Sequence, residues 1–199
     1  MKQYQKGEYC RRYADWVRVN KIKVGKEYLT KLRIGIASVQ VKDSFHKAAL
    51  SERPNKSSER MDELIKIVNA AVKEKVNLLV LPECCVPFSW AGTIIEAARK
   101  HNMAMVFGVE HVVQGKTAYN YLMTALPMRV DDYNNCVLKM RLKNFYSPRE
   151  KQWIQNYQLQ CPSNPCKEEP MRQYDLFSWN HVYFAAYNCF ELSHIVDRA

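Results

Sequence analysis

Alternation between apolar strand-like segments and amphipathic helical segments, from residue 32 to residue 109, constrains the fold of this chain most. Residues 32–41, 76–81 and 103–109 are apolar and rich in β-formers, which predicts three buried strands. Two helical segments separate them: residues 89–101, and a helix whose apolar face is formed by Met61, Leu64, Ile65, Val68, Ala71 and Val72. The order strand, helix, strand, helix, strand predicts an α/β layered domain.

After residue 109 the pattern changes to short strands. Residues 120–126, 137–142 and 182–187 are each apolar and are bounded by polar or proline-containing segments. Residues 155–175 contain three prolines and two cysteines without regular periodicity. We therefore expect residues 155–175 to form an irregular surface insertion.

Three polar residues stand at the ends of predicted strands, where α/β domains usually build their sites. Glu83 follows Leu-Val-Leu-Pro, Lys143 ends a strand that carries basic residues on one face, and Cys189 ends the last apolar strand. Each residue type also has an ordinary structural role. A carboxylate can cap a helix, a lysine can belong to a solvated basic face, and a buried cysteine is most often inert core. A cysteine at the end of a strand, with Glu191 close by, can instead be an exposed nucleophile.

Five segments in chain order resemble the nitrilase (carbon–nitrogen hydrolase) superfamily over residues 32–199. They are the opening strand Arg33-Ile-Gly-Ile-Ala-Ser-Val-Gln40, the glutamate motif Leu79-Val-Leu-Pro-Glu83, the Tyr-Asn strand Ala118-Tyr-Asn-Tyr-Leu122, the lysine motif Lys143-Asn-Phe-Tyr146 and the nucleophile motif Cys189-Phe-Glu-Leu192. One such motif alone is weak, whereas five in order are a strong resemblance.

The resemblance implies a nitrilase-like αββα sandwich, here truncated after the nucleophile strand. It implies that Glu83 is the general base, that Cys189 is the nucleophile, and that Lys143 stabilises the developing oxyanion together with the backbone N–H of Phe190. Glu150 would position Lys143 or the substrate. The implied substrate is a small amide or nitrile, and the implied chemistry needs no metal and no organic cofactor.

A second register of the lysine motif is possible, with Lys139 in place of Lys143. Lys139 and Lys143 share a face of the predicted strand because side chains alternate along it. We favour Lys143, because Glu150 then falls where the family has its second glutamate.

A narrower resemblance links the lysine motif, the nucleophile motif and the closing Asp197-Arg198 to nitrilase domains attached to bacterial reverse transcriptases of phage-defence systems. It implies a linked or partner reverse transcriptase. It also favours an alternative function, in which a nitrilase-like module serves as a scaffold or forms a homo-oligomer with little hydrolase activity. Phe145 fits this alternative, since many family members have a histidine at that position.

The charge of the chain is concentrated at its N-terminus. Residues 1–30 hold eight Lys or Arg residues and three Asp or Glu residues, which is half of the formal net charge of +10. Aromatic residues at helical spacing predict an amphipathic helix over residues 5–20. We therefore divide the chain into a basic arm, residues 1–31, and a nitrilase-like domain, residues 32–199. The arm is either a solvated basic helix, a docking segment or a contact for nucleic acid.

Composition narrows the cellular setting. The seven cysteines have no regular disulfide spacing, and Cys161 and Cys166 are better read as two reduced thiols than as half of a metal site. The chain has no long uncharged apolar run and no apolar N-terminal leader, and its mean hydropathy is −0.42. These features predict a cytoplasmic protein that does not span a membrane.

Overall fold

The computed structural model describes residues 17–162 and 172–193, and these form two main sheets and four helices with two 3-10 turns. The strands are β1 (Val17–Val24), β2 (Ile34–Ile36), β3 (Leu78–Val80), β4 (Ala104–Gly108), β5 (Val112–Gln114), β6 (Thr117–Tyr119), β7 (Tyr121–Val130), β8 (Tyr133–Leu142), β9 (Arg172–Trp179) and β10 (Val182–Ala185). The helices are α1 (Asp43–Leu50), α2 (Ser58–Lys73), α3 (Ala91–His101) and α4 (Pro148–Asn156), and the 3-10 turns are Phe88–Trp90 and Cys189–Ser193.

The larger sheet has five strands in the order β2-β3-β4-β7-β8. Its first three strands are parallel and the last two are antiparallel, so the two expected parallel crossovers are followed by a β7–β8 hairpin. The smaller sheet has the order β1-β9-β10, with β1 parallel to β9. A two-stranded ribbon, β5-β6, stands apart from both.

Alternation along the strands of the larger sheet creates two cores. Leu79, Met105 and Phe107 face α2 and α3 in one apolar cluster, whereas their neighbours Leu78 and Val106 face the smaller sheet in a second cluster with residues such as Phe177 and Trp179. The described residues therefore form helix, sheet and sheet layers, which confirms the predicted α/β class and accounts for three of the four expected layers.

The first predicted strand is shorter and less buried than its sequence suggested. Only Ile34–Ile36 forms β2, at the edge of the larger sheet, and Ile36 is 82% exposed. The middle residue of this strand packs on one side only: a Cβ atom at Gly35 would lie 3.2–3.3 Å from side-chain atoms of Val76 and Leu79. The other predicted elements of the larger sheet form near their expected positions.

Two sequence predictions are wrong in the described residues. The predicted helix over residues 5–20 does not extend past residue 16, since residues 17–24 form β1; residues 1–16 lie outside the described ranges. The predicted surface insertion at residues 155–175 is regular at both ends, because α4 runs to Asn156 and β9 starts at Arg172. In both places long-range strand pairing or helix capping outweighed the local pattern.

None of the described helices is both long enough and apolar enough to cross a bilayer.

Gly108, at the end of β4, packs directly against the backbone of Glu83. A Cβ atom at this position would lie 2.6 Å from the Cα of Glu83 and 2.8 Å from the backbone nitrogen of Cys84. Only glycine therefore lets β4 approach the turn that follows β3 this closely.

We expect Gly108→Ala to lower the free energy of unfolding by about 1–3 kcal/mol, because backbone atoms must move to admit the methyl group. Denaturant unfolding measures the change. Gly92→Ala is the matched control: a Cβ there meets nothing within 4 Å, so stability should stay unchanged or rise. Equal losses in both variants would show that the contact with Glu83 is not the cause.

Candidate active site

Glu83, Lys143 and Cys189 converge at one end of the larger sheet. Glu83 follows β3, Lys143 comes directly after β8, and Cys189 begins the 3-10 turn after β10. A cavity of about 510 Å³ at this position is lined by Glu83 and Cys189, together with His46 and Asn188. Residues from three separate parts of the chain thus share one concave site.

Lys143 is the centre of the site. Its side chain is 1% exposed, and Nζ lies 2.5 Å from Oε1 of Glu83 and 2.6 Å from Oε2 of Glu150. Burial disfavours the ammonium form, but the attraction of Glu83 and Glu150 outweighs burial and raises the pKa of Lys143 to about 12. The lysine is therefore a buried cation held between two carboxylates at neutral pH.

Glu150 is fixed by the start of α4. The Ser147 side chain caps the helix and Glu150 closes the capping box, with Pro148 in the first turn. Oε1 of Glu150 lies 3.1 Å from Nε2 of His111. Burial favours the neutral acid, but the His111 hydrogen bond and the charge of Lys143 outweigh it and lower the pKa of Glu150 to about 2. Glu150 is thus a permanent anion.

Asn120 joins the two carboxylates. It is fully buried between β6 and β7, and its side-chain nitrogen donates to Glu83 at 2.8 Å and to Glu150 at 3.2 Å. Its side-chain oxygen accepts from Asn188 at 2.9 Å, just before the cysteine. Asn120 therefore links Glu83, Glu150 and the segment that precedes Cys189. Asn120 belongs to the Tyr-Asn motif noted in the sequence, but the sequence did not indicate a role for its side chain.

Cys189 differs from the sequence prediction in its local structure. It lies beyond the end of β10, in a 3-10 turn, and its φ of 48° is in the left-handed region. It is exposed, as expected. Burial of its sulfur, the negative charge of Glu83 and a hydrogen bond to Glu83 raise the pKa of the thiol to about 11. The resting group is therefore a thiol whose proton is directed at a carboxylate.

A buried ion pair holds the Cys189 turn. Glu191 is fully buried, and Arg141 from β8 donates to its two oxygens at 2.8 and 2.7 Å. The same carboxylate accepts from the backbone nitrogens of Asn144 at 2.5 Å and Asn188 at 2.7 Å. The Arg141–Glu191 pair thus connects the segment after Lys143 with the segment before Cys189. The sequence placed Glu191 near the cysteine but gave no sign of its partner.

The geometry separates the two candidate lysines. Lys139 is 29% exposed in its side chain and pairs with Asp175 at 3.6 Å, on the smaller sheet. Only Lys143 reaches Glu83 and Glu150. Phe190 follows Cys189 in the 3-10 turn, and its role as an oxyanion donor stays a prediction.

A second group of side chains lies behind Glu150. His46, Cys84 and His111 bring one donor atom each within 4.8 Å of one another, as a metal site requires. The sequence did not signal this group. The five cysteines in the described ranges, Cys84 and Cys161 included, are free thiols, whereas Cys166 lies outside those ranges.

Solved structures of the amidase from Nesterenkonia sp. AN1 are similar to this chain. One, with the acetamide moiety of fluoroacetamide added covalently at its active-site cysteine, is 13% identical over 90% of this chain and 58% of the amidase, with a TM-score of 0.45. A second, a variant in complex with butyramide, is 14% identical over 86% and 55%, with a TM-score of 0.40. A third variant, described as from the nitrilase superfamily, has a TM-score of 0.39.

This chain thus spans less than two thirds of the length of these amidase chains. No protein-family model and no curated protein matches the sequence. At this identity and TM-score, the similarity assigns no activity to the chain.

We expect Glu191→Gln to lower the free energy of unfolding by about 3–5 kcal/mol, because it removes the anion that accepts two hydrogen bonds from the buried Arg141 guanidinium and leaves Arg141 only a 3.9 Å ion pair with Asp175 among the described residues. Thermal and denaturant unfolding measure this. Glu96→Gln is the control: Glu96 pairs with Arg99 on the surface, with side chains 58% and 42% exposed, and its loss should leave stability unchanged. A small effect of Glu191→Gln would show that the pair does not hold the turn.

Proposed function

We propose that this chain carries the catalytic groups of a carbon–nitrogen hydrolase that cleaves small amides or nitriles through a covalent intermediate on Cys189. The observation that carries the proposal is the shared site: Lys143 bridges Glu83 and Glu150, and Glu83 and Cys189 line the same cavity. A thiol, a carboxylate base and a buried cation at one cavity are the parts that thiol-dependent acyl transfer needs.

Glu83 is the general base in this proposal. Its Oε1 is held by Lys143 and Asn120, which leaves Oε2 to take the proton of the Cys189 thiol. Its side chain is 19% exposed, whereas that of Glu150 is 10% exposed, so Glu83 is the carboxylate with access to the cavity. The resulting thiolate attacks the carbonyl carbon of a bound amide.

Lys143 stabilises the negative charge that develops on the carbonyl oxygen. Two of its three N–H donors go to Glu83 and Glu150 within the described residues, and in this scheme the third donates to the oxyanion. Removal of one donor from an oxyanion site typically costs roughly 3 kcal/mol of transition-state stabilisation. The backbone N–H of Phe190 is the second proposed donor, since it directly follows the nucleophile.

The collapse of the tetrahedral intermediate completes the first half-reaction. The C–N bond breaks, protonated Glu83 gives its proton to the leaving nitrogen, and ammonia or an amine departs while the acyl group stays on Cys189 as a thioester. Water then gives a proton to Glu83 and adds to the thioester, and the released thiolate recovers that proton. The products are a carboxylic acid and the free thiol, so the cycle closes without an external oxidant or reductant.

Glu150 and Asn120 are positioning residues in this scheme. Glu150 anchors Lys143 from the side opposite Glu83, and Asn120 donates to both carboxylates. Small primary amides are the first substrates to test, because the Nesterenkonia amidase variant binds butyramide.

We expect Cys189→Ala to reduce ammonia release from acetamide or butyramide by at least about a thousandfold, because it removes the thiol on which the thioester is proposed to form. An enzyme-coupled ammonia assay gives the rate, and intact mass spectrometry after incubation with fluoroacetamide reports the adduct. Cys136→Ala, which removes a half-buried thiol on β8, is the control and should retain both signals. An unchanged rate in Cys189→Ala would overturn the assignment and favour the scaffold alternative.

Because Glu83 contributes to the raised pKa of Cys189, we expect Glu83→Gln to change alkylation and amide hydrolysis in opposite directions. Alkylation of Cys189 by iodoacetamide should rise about tenfold per pH unit between pH 7 and 10, because the thiolate fraction grows below a pKa of about 11. Glu83→Gln removes a negative charge and an acceptor that favour the thiol, so it should lower this pKa and speed alkylation at pH 8. The same change should slow amide hydrolysis by roughly 10²–10⁴-fold, because the base is lost.

Peptide mass spectrometry assigns the alkylated residue. Cys84 and Cys85 serve as internal controls, because both thiols are buried and burial raises their pKa values. Slower alkylation in Glu83→Gln would contradict the proposed contact between Glu83 and Cys189.

A further inference from the structure

His46, Cys84 and His111 form a cluster that the proposed hydrolase chemistry does not use. His46 lies on α1, Cys84 follows Glu83 after β3, and His111 lies between β4 and β5. Sγ of Cys84 is 3.9 Å from Nδ1 of His111, and the three donor atoms lie within 4.8 Å of one another. Cys84 and His111 are buried, and Nδ1 of His46 is buried without a hydrogen-bond partner among the described residues.

The hydrogen bond between His111 and Glu150 fixes the tautomer of the ring. A carboxylate only accepts, so Nε2 of His111, 3.1 Å from Oε1, is the donor. In the neutral ring Nδ1 then carries a lone pair, and it is Nδ1 that faces the sulfur of Cys84. Metal-binding histidines typically donate their other nitrogen to a carboxylate in this way, which orients the ring and raises its basicity.

The spacing suits a small transition-metal ion. Zinc binds cysteine sulfur at about 2.3 Å and histidine nitrogen at about 2.0–2.1 Å, so the donors of a tetrahedral site lie roughly 3.3–3.7 Å apart. The Cys84–His111 distance of 3.9 Å is already close to this. His46 is half-buried, and a displacement on the order of 1 Å brings its ring nitrogen to the required distance.

Charge and access favour a divalent cation. The Glu83 and Glu150 carboxylates act electrostatically on Cys84, and the ammonium of Lys143 opposes them. His46 lines the same cavity as Cys189, so an ion can reach the cluster from solvent. Two imidazoles and a thiolate are donors that select Zn²⁺ or a related ion over Mg²⁺ or Ca²⁺.

We propose that His46, Cys84 and His111 bind one zinc-type ion beside the catalytic network, with Glu150 orienting His111. The ion displaces the thiol proton of Cys84 and keeps one coordination position for water or a ligand from the cavity. Glu150 contacts both His111 and Lys143. The proposed ion is therefore connected to Lys143 through His111 and Glu150. This assignment departs from the metal-free chemistry that the family resemblance implied.

Zinc titration of the metal-stripped 199-residue chain under a phosphine reductant tests the proposal, with a competing chromogenic chelator as readout. The wild-type chain should bind one Zn²⁺, and Co²⁺ in its place should give a thiolate-to-cobalt charge-transfer band. Cys84→Ser should abolish that band. Glu150→Gln, which keeps the size of the side chain, should weaken Zn²⁺ binding by about 10–100-fold.

Cys85→Ser is the matched control, because Cys85 is equally buried but lies outside the cluster, and it should bind Zn²⁺ as the wild-type chain does. If Cys84→Ser fails to fold, His46→Gln at the half-buried position tests the site instead, with circular dichroism to verify the fold. This variant should weaken Zn²⁺ binding by at least about tenfold. No stoichiometric binding, binding retained in His46→Gln, or binding that depends on Cys161 instead would each overturn the proposal.

Discussion

A buried ammonium between two carboxylates is the interaction on which the rest of this site depends. An uncompensated ion of this kind costs several kcal/mol to bury, and Lys143 is 1% exposed in its side chain. Contacts of 2.5 and 2.6 Å to Glu83 and Glu150 compensate it and raise its pKa. The trio carries a net negative charge, so further donors are needed, and Asn120 and His111 supply them.

The two carboxylates differ in their surroundings rather than in their chemistry. Glu150 is locked by the capping box of α4, by His111 and by Lys143, and its low pKa leaves it no use as a proton carrier near neutral pH. Glu83 follows a proline at the end of β3 and keeps partial access to the cavity and to Cys189. The fold thus encloses one of these carboxylates in a network of donors and leaves the other partly exposed at the cavity.

A second buried ion pair, Arg141–Glu191, holds the backbone around Cys189. Glu191 collects two side-chain and two backbone donors around the left-handed Cys189 turn, a conformation that costs a non-glycine residue roughly 1–2 kcal/mol. Because Arg141 lies near the end of β8 and Lys143 directly follows it, one strand positions both the cation that pairs with Glu83 and Glu150 and the cation that pairs with Glu191 beside Cys189. The exact position of β8 therefore governs both halves of the site.

The sequence by itself determined the features that depend on neighbouring residues in the chain. Periods of two and of 3.6 residues predicted the α/β layers, because these signals depend only on neighbours in the chain. Polar residues at predicted strand ends made Glu83, Lys143 and Cys189 candidates, and the family resemblance implied their roles. Tertiary structure decided what depends on distant pairing. β1 became a strand because it pairs with β9, about 155 residues away, and Asn120, His46, Cys84 and His111 gained their roles from partners that no local pattern reveals. For Lys139 and Lys143, which share one face of a strand, the spacing to Glu150 favoured Lys143 in the sequence, but the contacts of Lys143 with two carboxylates and of Lys139 with Asp175 depend on tertiary structure.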